Sequence, residues 1–182
     1  MPVLERWQVV ELAGTIPYYA PRIAYLSAAA AEVRRVARLG PIERVIEIGP
    51  HLQTLVAGSD VIDVAERPEL AGAGRVTIMD AKQVPWPIED RAYDLLVALQ
   101  VWEHLPGRQA EAFREVRRVA RHAILSLPIG WTMKNPNDIH HRISQEQVLA
   151  WFAPVVPTRI VVGNRGSRTR LIYVFENLPL PD

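Results

Sequence analysis

The chain has 182 residues and a hydrophobic fraction of 49%, which fits one domain with a sizeable core and excludes an intrinsically disordered chain. A net charge of +1 gives no general attraction to nucleic acid or to an anionic membrane, and the lack of cysteine excludes disulfides and thiolate chemistry. Residues 1–5 lack the pattern of a signal peptide and no apolar run reaches membrane-spanning length, so we expect a cytoplasmic enzyme or binding domain.

The first half of the chain predicts one helix followed by short strands. Residues 22–39 place apolar side chains on one helical face, and Gly40 with Pro41 ends that pattern. Runs rich in β-branched residues then predict four buried strands, at residues 44–48, 61–64, 76–79 and 93–99.

The second half predicts two further helices and three strands. A helical pattern over 106–121 precedes a strand at 123–127. Ser144 and Gln147 have the spacing of a capping box for a helix over 145–152. Two final runs, 158–162 and 170–176, flank a glycine-containing turn and predict an antiparallel hairpin.

These elements predict an α/β fold in which helices alternate with the first five strands. The expected architecture is a Rossmann-like, doubly wound, seven-stranded and mostly parallel sheet with a C-terminal antiparallel hairpin. Ligands of such sheets bind at the carboxyl ends of the strands, where the strand order reverses. The end of the first strand, at Gly49, is therefore the predicted ligand site.

Glu47 and Gly49 mark that strand end. A carboxylate inside a buried strand is costly unless it is paired or used, and a glycine after it lets the backbone approach a ligand. A plain turn from strand to loop is the alternative interpretation. Asp63 follows the second strand, where a carboxylate can accept hydrogen bonds from ribose hydroxyls, although Glu66 competes for that role. Asp80 ends the third strand and can accept from an adenine amine, unless it only caps a turn.

Four motifs in order carry a family resemblance. They are Glu47-Ile48-Gly49, the turn Val84-Pro85-Trp86 that follows Asp80, the strand start Tyr93-Asp94, and Glu103-His104-Leu105. This order and spacing resembles the small-molecule branch of the class I S-adenosylmethionine-dependent methyltransferases over roughly residues 40–176. The resemblance implies a single methyltransferase-like domain over 1–182, with a helical segment 1–40, a cofactor-binding core 41–130, and a substrate-side loop and hairpin 131–182.

The resemblance also implies which residues bind S-adenosylmethionine. Glu47 and Gly49 would line the methionine end, Asp63 would hold the ribose, and Gln100 would lie near the sulfonium. The full set of implied cofactor-binding residues is Glu47, Gly49, His51, Asp63, Asp80, Ala81 and Gln100.

The sequence departs from the family in its glycine-rich loop. The family has a Gly-x-Gly-x-Gly turn, and here the three positions are Gly49, His51 and Gln53. His51 either occupies part of the methionine pocket or contacts the methionine carboxylate. Two functions therefore stay open, a methyltransferase acting on a small acceptor and a non-catalytic scaffold with the same fold. A dinucleotide enzyme is disfavoured, because no Gly-x-Gly-x-x-Gly cradle is present.

Three histidines are candidate catalytic residues. His104 follows the fourth strand, and His140 and His141 lie in the loop after the fifth strand, where a neutral imidazole can serve as a general base. A solvated loop without a catalytic role is the alternative. Together with His104, this pair could also suggest a metal site, but the sequence predicts none, because adjacent histidines rarely point the same way.

The roles of two further clusters stay open, and so does the identity of the binding partners. Aromatic residues near the N-terminus, Trp7, Tyr18 and Tyr19, form either a lid over the pocket or an apolar collar under the first helix. The arginines at 165, 168 and 170 predict a solvated hairpin edge or an anion site. The expected partner is a small-molecule substrate rather than nucleic acid or membrane, with a homo-oligomer or partner chain left open.

Overall fold

The computed structural model describes residues 1–164, 166 and 168–181. The strands are β1 (Val45–Ile48), β2 (Ser59–Asp63), β3 (Ala73–Ile78), β4 (Tyr93–Leu99), β5 (Ala120–Pro128), β6 (Arg159–Asn164) and β7 (Arg170–Phe175). The helices are α1 (Arg6–Thr15), α2 (Ile23–Val36), α3 (Gln109–Val119) and α4 (Gln145–Phe152), with short 3-10 turns at Ala20–Arg22 and Trp102–His104.

The seven strands form one sheet in the order β3-β2-β1-β4-β5-β7-β6. Strands β1 to β5 pair in parallel, and β7 runs antiparallel to both β5 and β6. The chain moves outward from β1 to β3 and then returns to place β4 on the other side of β1, so the switch point lies between β1 and β4. This topology confirms the predicted fold class, including the C-terminal hairpin.

Helices pack on both faces of the sheet. Helix α2 contacts β5, β6 and β7, while α3 contacts β5 on the opposite face and α4 packs against α3. The pleat of β4 divides its side chains between two cores: Leu95 and Val97 join the core under α2, while Leu96 and Ala98 join the core under α3. Strands β4, β5 and β7 are therefore buried from both sides, whereas β6 is an exposed edge strand.

The first three connections contain no helix, which makes the predicted alternation wrong there. Residues 49–58, 64–72 and 79–92 join β1 through β4 as loops and turns, and only α3 lies between two consecutive parallel strands. These segments contain prolines and glycines, at positions 49, 50, 58, 68, 72, 85 and 87, which disfavour helix. The edge strand β3 is left partly uncovered, with Val76 and Ile78 exposed.

Local sequence signals predicted the start of helix α4 but not the start of helix α1. Ser144 Oγ accepts the backbone N–H of Gln147 at 3.1 Å, which confirms the predicted N-cap of α4. Helix α1 was not predicted as a separate helix, because its capping box uses Glu5 and Gln8 instead of a serine or threonine cap. In the described part of the chain, no helix is both long enough and apolar enough to cross a bilayer.

An aromatic cluster joins α4 to the sheet and generates a stability prediction. Phe152 is fully buried and lies 4.8 Å from Phe113 and 5.1 Å from Phe175, measured between ring centroids. We expect Phe152→Ala to lower the free energy of unfolding by about 3–5 kcal/mol, because it removes buried contacts and leaves a cavity. Urea unfolding followed by circular dichroism measures this loss.

The matched control is Val156→Ala, four residues further on, where the side chain is 76% exposed. That change should alter stability by less than about 0.5 kcal/mol. A loss in Phe152→Ala as small as in the control would contradict the placement of α4 against the sheet.

Candidate functional site

A cleft of about 280 Å³ opens at the carboxyl ends of β1, β2 and β4, beside the segment that follows β3. Its lining includes six of the residues predicted from the sequence, which are Gly49, Asp63, Asp80, Ala81, Gln100 and His104. Chain segments far apart in sequence therefore meet at the switch point of the sheet, as expected for the ligand site of a doubly wound fold.

A smaller cavity of about 40 Å³ adjoins the cleft and is lined by the remaining predicted cofactor-binding residues. Glu47 and His51 line it, and it shares Gly49 and Gln100 with the larger cleft. Tyr18 and Tyr19 reach this cavity from the N-terminal segment, whereas Trp7 is exposed and is not among the lining residues. The tyrosines of the predicted aromatic cluster thus lie at the site, and Trp7 lies away from it.

Glu47 holds the loop that follows β1. Its carboxylate accepts the backbone N–H groups of Leu55 at 2.9 Å and Val56 at 2.8 Å, and the hydroxyl of Ser59 at 2.9 Å. Burial raises the pKa of Glu47 to about 7, against the opposing effect of these three donors. The loop 49–58 therefore keeps its shape without a helix, and Glu47 presents little free hydrogen-bonding capacity to a ligand.

Gly49 is conformationally required at the end of β1. Its φ of +60° lies in the left-handed region, and a Cβ atom there would lie 3.2 Å from Cγ2 of Val101. A side chain at this position would be strained and would crowd the wall shared by the two cavities.

His51 takes part in an aromatic stack. Its ring lies parallel to that of Tyr18, with centroids 3.7 Å apart, and the Arg22 guanidinium lies 3.6 Å from the same Tyr18 centroid. Desolvation lowers the pKa of His51, and the positive charges of Arg67 and Arg22 lower it further. Among the described residues, neither Nδ1 of His51 nor Nε of Arg22 has a hydrogen-bond partner, although both atoms are buried.

The carboxylate at the end of β2 is held by a neighbouring arginine. Asp63 is buried, and its Oδ2 accepts from Nε of Arg67 at 2.7 Å, while Oδ1 accepts the N–H of Ala65 at 3.2 Å. Both Asp63 and Arg67 line the cleft. Glu66, the competing choice in the sequence, is exposed and is not among the cleft residues.

Asp80 and Ala81 frame the far end of the cleft. Asp80 accepts the backbone N–H of Lys82 at 2.9 Å and lies 3.2 Å from its ammonium group. Ala81 is buried, and its carbonyl accepts from the indole N–H of Trp86 at 3.0 Å. The turn after β3 is thereby fixed with Ala81 against the cleft wall.

Gln100 is positioned by the C-terminal hairpin. It has a φ of +60°, its N–H donates to the Ser126 carbonyl at 3.0 Å, and its Oε1 accepts from Nε of Arg170 at 3.0 Å. The Tyr25 hydroxyl is hydrogen-bonded to Ser126 Oγ, which ties α2 to the same point. Gln100 thus adopts an unfavourable backbone conformation that direct contacts from β5 and β7 stabilise.

The predicted solvated edge at the hairpin is wrong for Arg170. Arg170 is 4% exposed and lies over the Trp131 ring, with its guanidinium carbon 4.8 Å from the ring centroid. Arg168 lies over the same ring at 4.8 Å, and Arg165 falls outside the described residues. Arg170 is part of the site because β7 pairs directly with β5, which sequence periodicity alone does not reveal.

Two of the three candidate histidines come together. The rings of His104 and His140 lie 5.3 Å apart at an interplanar angle of 81°, and Trp131 stacks on His140 at 5.8 Å. His141 faces elsewhere, since its Nδ1 accepts the backbone N–H of Met133 at 3.1 Å. The structure therefore brings His104 and His140 together and leaves His141 apart from them.

Several site residues were missed by sequence reasoning. Glu103 was used only as part of a motif, yet its carboxylate is fully buried, and its pKa is raised to about 8 by desolvation. Arg22 and Arg67 each line one of the two cavities. The signal that could have identified Glu103 is a carboxylate directly after the apolar pair Val101-Trp102, similar to the signal that identified Glu47.

Comparison with protein-family profiles and with curated protein sequences gives no match. Solved structures do match. A SAM dependent methyltransferase from Aquifex aeolicus aligns with a TM-score of 0.57 at 15% identity, over 94% of this chain and 99% of that one. The N-methyltransferase NodS from Bradyrhizobium japonicum aligns with a TM-score of 0.59 at 16% identity, over 86% and 97%.

A third match is the trans-methyltransferase CalH in complex with SAH, with a TM-score of 0.56 at 11% identity, over 91% of this chain and 60% of that one. The chain therefore has the class I S-adenosylmethionine-dependent methyltransferase fold, as the sequence motifs predicted. At these identities the similarity establishes the fold.

The raised pKa of Glu47 predicts a pH dependence of stability. An acid that binds its proton more tightly in the folded chain contributes stability that is fully present below its unfolded pKa and is lost as the pH rises through its folded pKa. For Glu47 that window runs from the ordinary value of 4.5 to about 7. Within this pH window, Glu47 should lower the free energy of unfolding by up to about 1.4 kcal/mol per pH unit.

Urea unfolding of the wild type and of Glu47→Gln across this pH window isolates the contribution. The variant should be less stable overall, because an amide places an N–H group against a backbone donor, and its stability should fall less steeply with pH. Equal slopes in the two proteins would show that Glu47 is already ionised throughout the window.

Proposed function

We propose that this chain binds S-adenosylmethionine in the cleft and transfers its methyl group to a small acceptor. The observation that carries the proposal is the order of Gly49, Asp63, Ala81 and Gln100 along the ends of β1 to β4, within one continuous cleft. The shared fold and the SAH complex of CalH support the same ligand class.

The adenosine part is assigned to the larger cleft. Its volume of about 280 Å³ is close to the lower end of roughly 300–1,000 Å³ found for small-molecule sites. Asp63 would accept from the ribose hydroxyls in exchange for part of its pairing with Arg67. Asp80 would accept from the adenine amine, with buried Ala81 against the base.

The methionine part is assigned to the smaller cavity beside Gly49. That cavity is narrow, at about 40 Å³, and the stacked rings of His51 and Tyr18 line it. Binding of the methionine part would therefore displace this stack. The buried and unpartnered Nε of Arg22 is suited to meet the methionine carboxylate there.

Methyl transfer would occur at the substrate side of Gln100. The bound sulfonium supplies an already electrophilic methyl group, so the residues of the chain mainly orient the acceptor and exclude water. Where the acceptor must lose a proton, His104 or His140 would take it. His104 lines the cleft and loss of solvation lowers its pKa, which keeps the imidazole neutral and able to accept a proton at neutral pH.

The second candidate function is a non-catalytic scaffold of the same fold. It is favoured by the packing of His51 against Tyr18, which narrows the methionine cavity, and by the arginine that already holds Asp63. The two functions differ in whether the folded protein binds the cofactor at all.

Calorimetric titration of the chain with S-adenosylhomocysteine tests the proposal. We expect one site with a micromolar dissociation constant, and we expect Asp63→Asn to weaken binding at least tenfold, because the amide cannot accept from both ribose hydroxyls. The matched control is Glu66→Gln, three positions away on an exposed side chain, which should bind like the wild type.

Absence of binding by a folded wild-type protein would support the scaffold instead. Preference for NAD over S-adenosylhomocysteine would contradict both candidate functions. Equal weakening by Asp63→Asn and Glu66→Gln would place the ribose elsewhere in the cleft.

A further inference from the structure

Glu103 is a buried carboxylate that the proposed function does not use. Its side chain has no solvent exposure, and neither oxygen forms a hydrogen bond with another described residue. A buried charge without a partner is costly, and such groups are normally paired with a cation or bound to a metal. The positive charge of Arg170 attracts the Glu103 carboxylate through space, but the Arg170 guanidinium is hydrogen-bonded to Gln100.

Two imidazoles face this carboxylate. Nε2 of His140 lies 4.0 Å from Oε1 of Glu103, too far for a hydrogen bond. One potential ligand atom from each of Glu103, His104 and His140 lies within 4.8 Å of the other two. Metal–ligand bonds of about 2.1 Å place neighbouring ligand atoms roughly 3.0–3.5 Å apart, so closure around an ion requires movements of about 1 Å.

The surroundings orient His140 as a ligand. Its Nδ1 lies 2.8 Å from Oδ1 of Asp138, and that oxygen also accepts the backbone N–H of His140 at 2.9 Å. An Nδ1–H held by a carboxylate leaves the Nε2 lone pair directed at Glu103, which is the usual second-sphere arrangement of metal-bound histidine. Trp131 stacks on the His140 ring and limits its rotation.

We propose that Glu103, His104 and His140 form a binding site for a divalent first-row transition metal ion such as Zn²⁺. The donor set is one carboxylate oxygen and two imidazole nitrogens, which suits zinc, iron or nickel better than magnesium or calcium, since the latter prefer oxygen ligands alone. A metal site formed by His104 with the adjacent pair His140 and His141 was not predicted from the sequence, because adjacent histidines rarely point the same way. The site instead combines His140 with the Glu103-His104 motif.

Three protein ligands leave coordination positions open, as in catalytic zinc sites with two histidines and one glutamate. His104 also lines the 280 Å³ cleft, so the ion lies in the wall of that cleft. An oxygen atom of a bound molecule can therefore reach it. This site stands on its own geometry and does not depend on the binding of S-adenosylmethionine. An ion bound there would occupy the lone pairs of His104 and His140, so neither imidazole would act as a general base while the ion is bound.

Zinc titration of the tag-free, chelator-treated protein tests the site without any cofactor. Calorimetry should show one Zn²⁺ per chain with micromolar or tighter affinity and no comparable binding of Mg²⁺. Glu103→Gln and His140→Ala should each weaken Zn²⁺ binding at least a hundredfold, and Asp138→Asn should weaken it tenfold or more. The matched control is His141→Ala, next to His140 but turned toward Met133, which should bind Zn²⁺ like the wild type.

Cobalt provides a second readout that does not depend on variants. Co²⁺ bound to this donor set should give visible d–d absorption bands in the wild type, and added Zn²⁺ should abolish them. The proposal is overturned if the folded wild type binds no stoichiometric Zn²⁺, or if Glu103→Gln binds it as tightly as the wild type. A loss of S-adenosylhomocysteine binding with intact Zn²⁺ binding would contradict only the proposed function.

Discussion

The contact between Glu47 and the loop that follows β1 is the constraint on which the site depends. One buried carboxylate accepts two backbone N–H groups and the Ser59 hydroxyl, and this replaces the helix that normally follows the first strand of a doubly wound sheet. The fixed loop sets the position of Gly49, which lines the wall between the two cavities. Because Glu47 binds backbone donors, the loop keeps its shape with His51 and Gln53 in place of glycines.

The sequence predicted the elements whose signals are local. Strand β4 has the predicted bounds, and Asp63 and Asp80 lie where strand ends placed them, because buried strands show apolar runs closed by polar residues. The connections without helices, between β1 and β4, were not predicted, because a parallel sheet usually has a helix between consecutive strands. The prolines and glycines in these connections disfavour helix. The contacts of Gln100 with Arg170 and of His104 with His140 join residues 70 and 36 positions apart, and no local pattern encodes them.

The shared fold and the side chains of the site determine different properties. Matches at 15–16% identity establish a shared backbone arrangement, and doubly wound sheets of this kind open their ligand sites at the carboxyl ends of the strands. The chemistry at that place depends on side chains such as Glu103 and His51, which this chain arranges in its own way. A carboxylate without a hydrogen bond to any other described residue and a histidine stacked on tyrosine are properties of the side chains, which a common fold does not determine.

The buried position of Arg170 makes the C-terminal hairpin inseparable from the ligand site. Arg170 lies on β7, yet it holds Gln100 at the end of β4 and stacks on Trp131, which in turn packs on His140. A chain shortened before β6 would keep the five parallel strands and lose this support. The smallest unit that preserves the candidate site therefore extends through β7, and engineering by truncation or domain fusion must preserve residues up to Phe175.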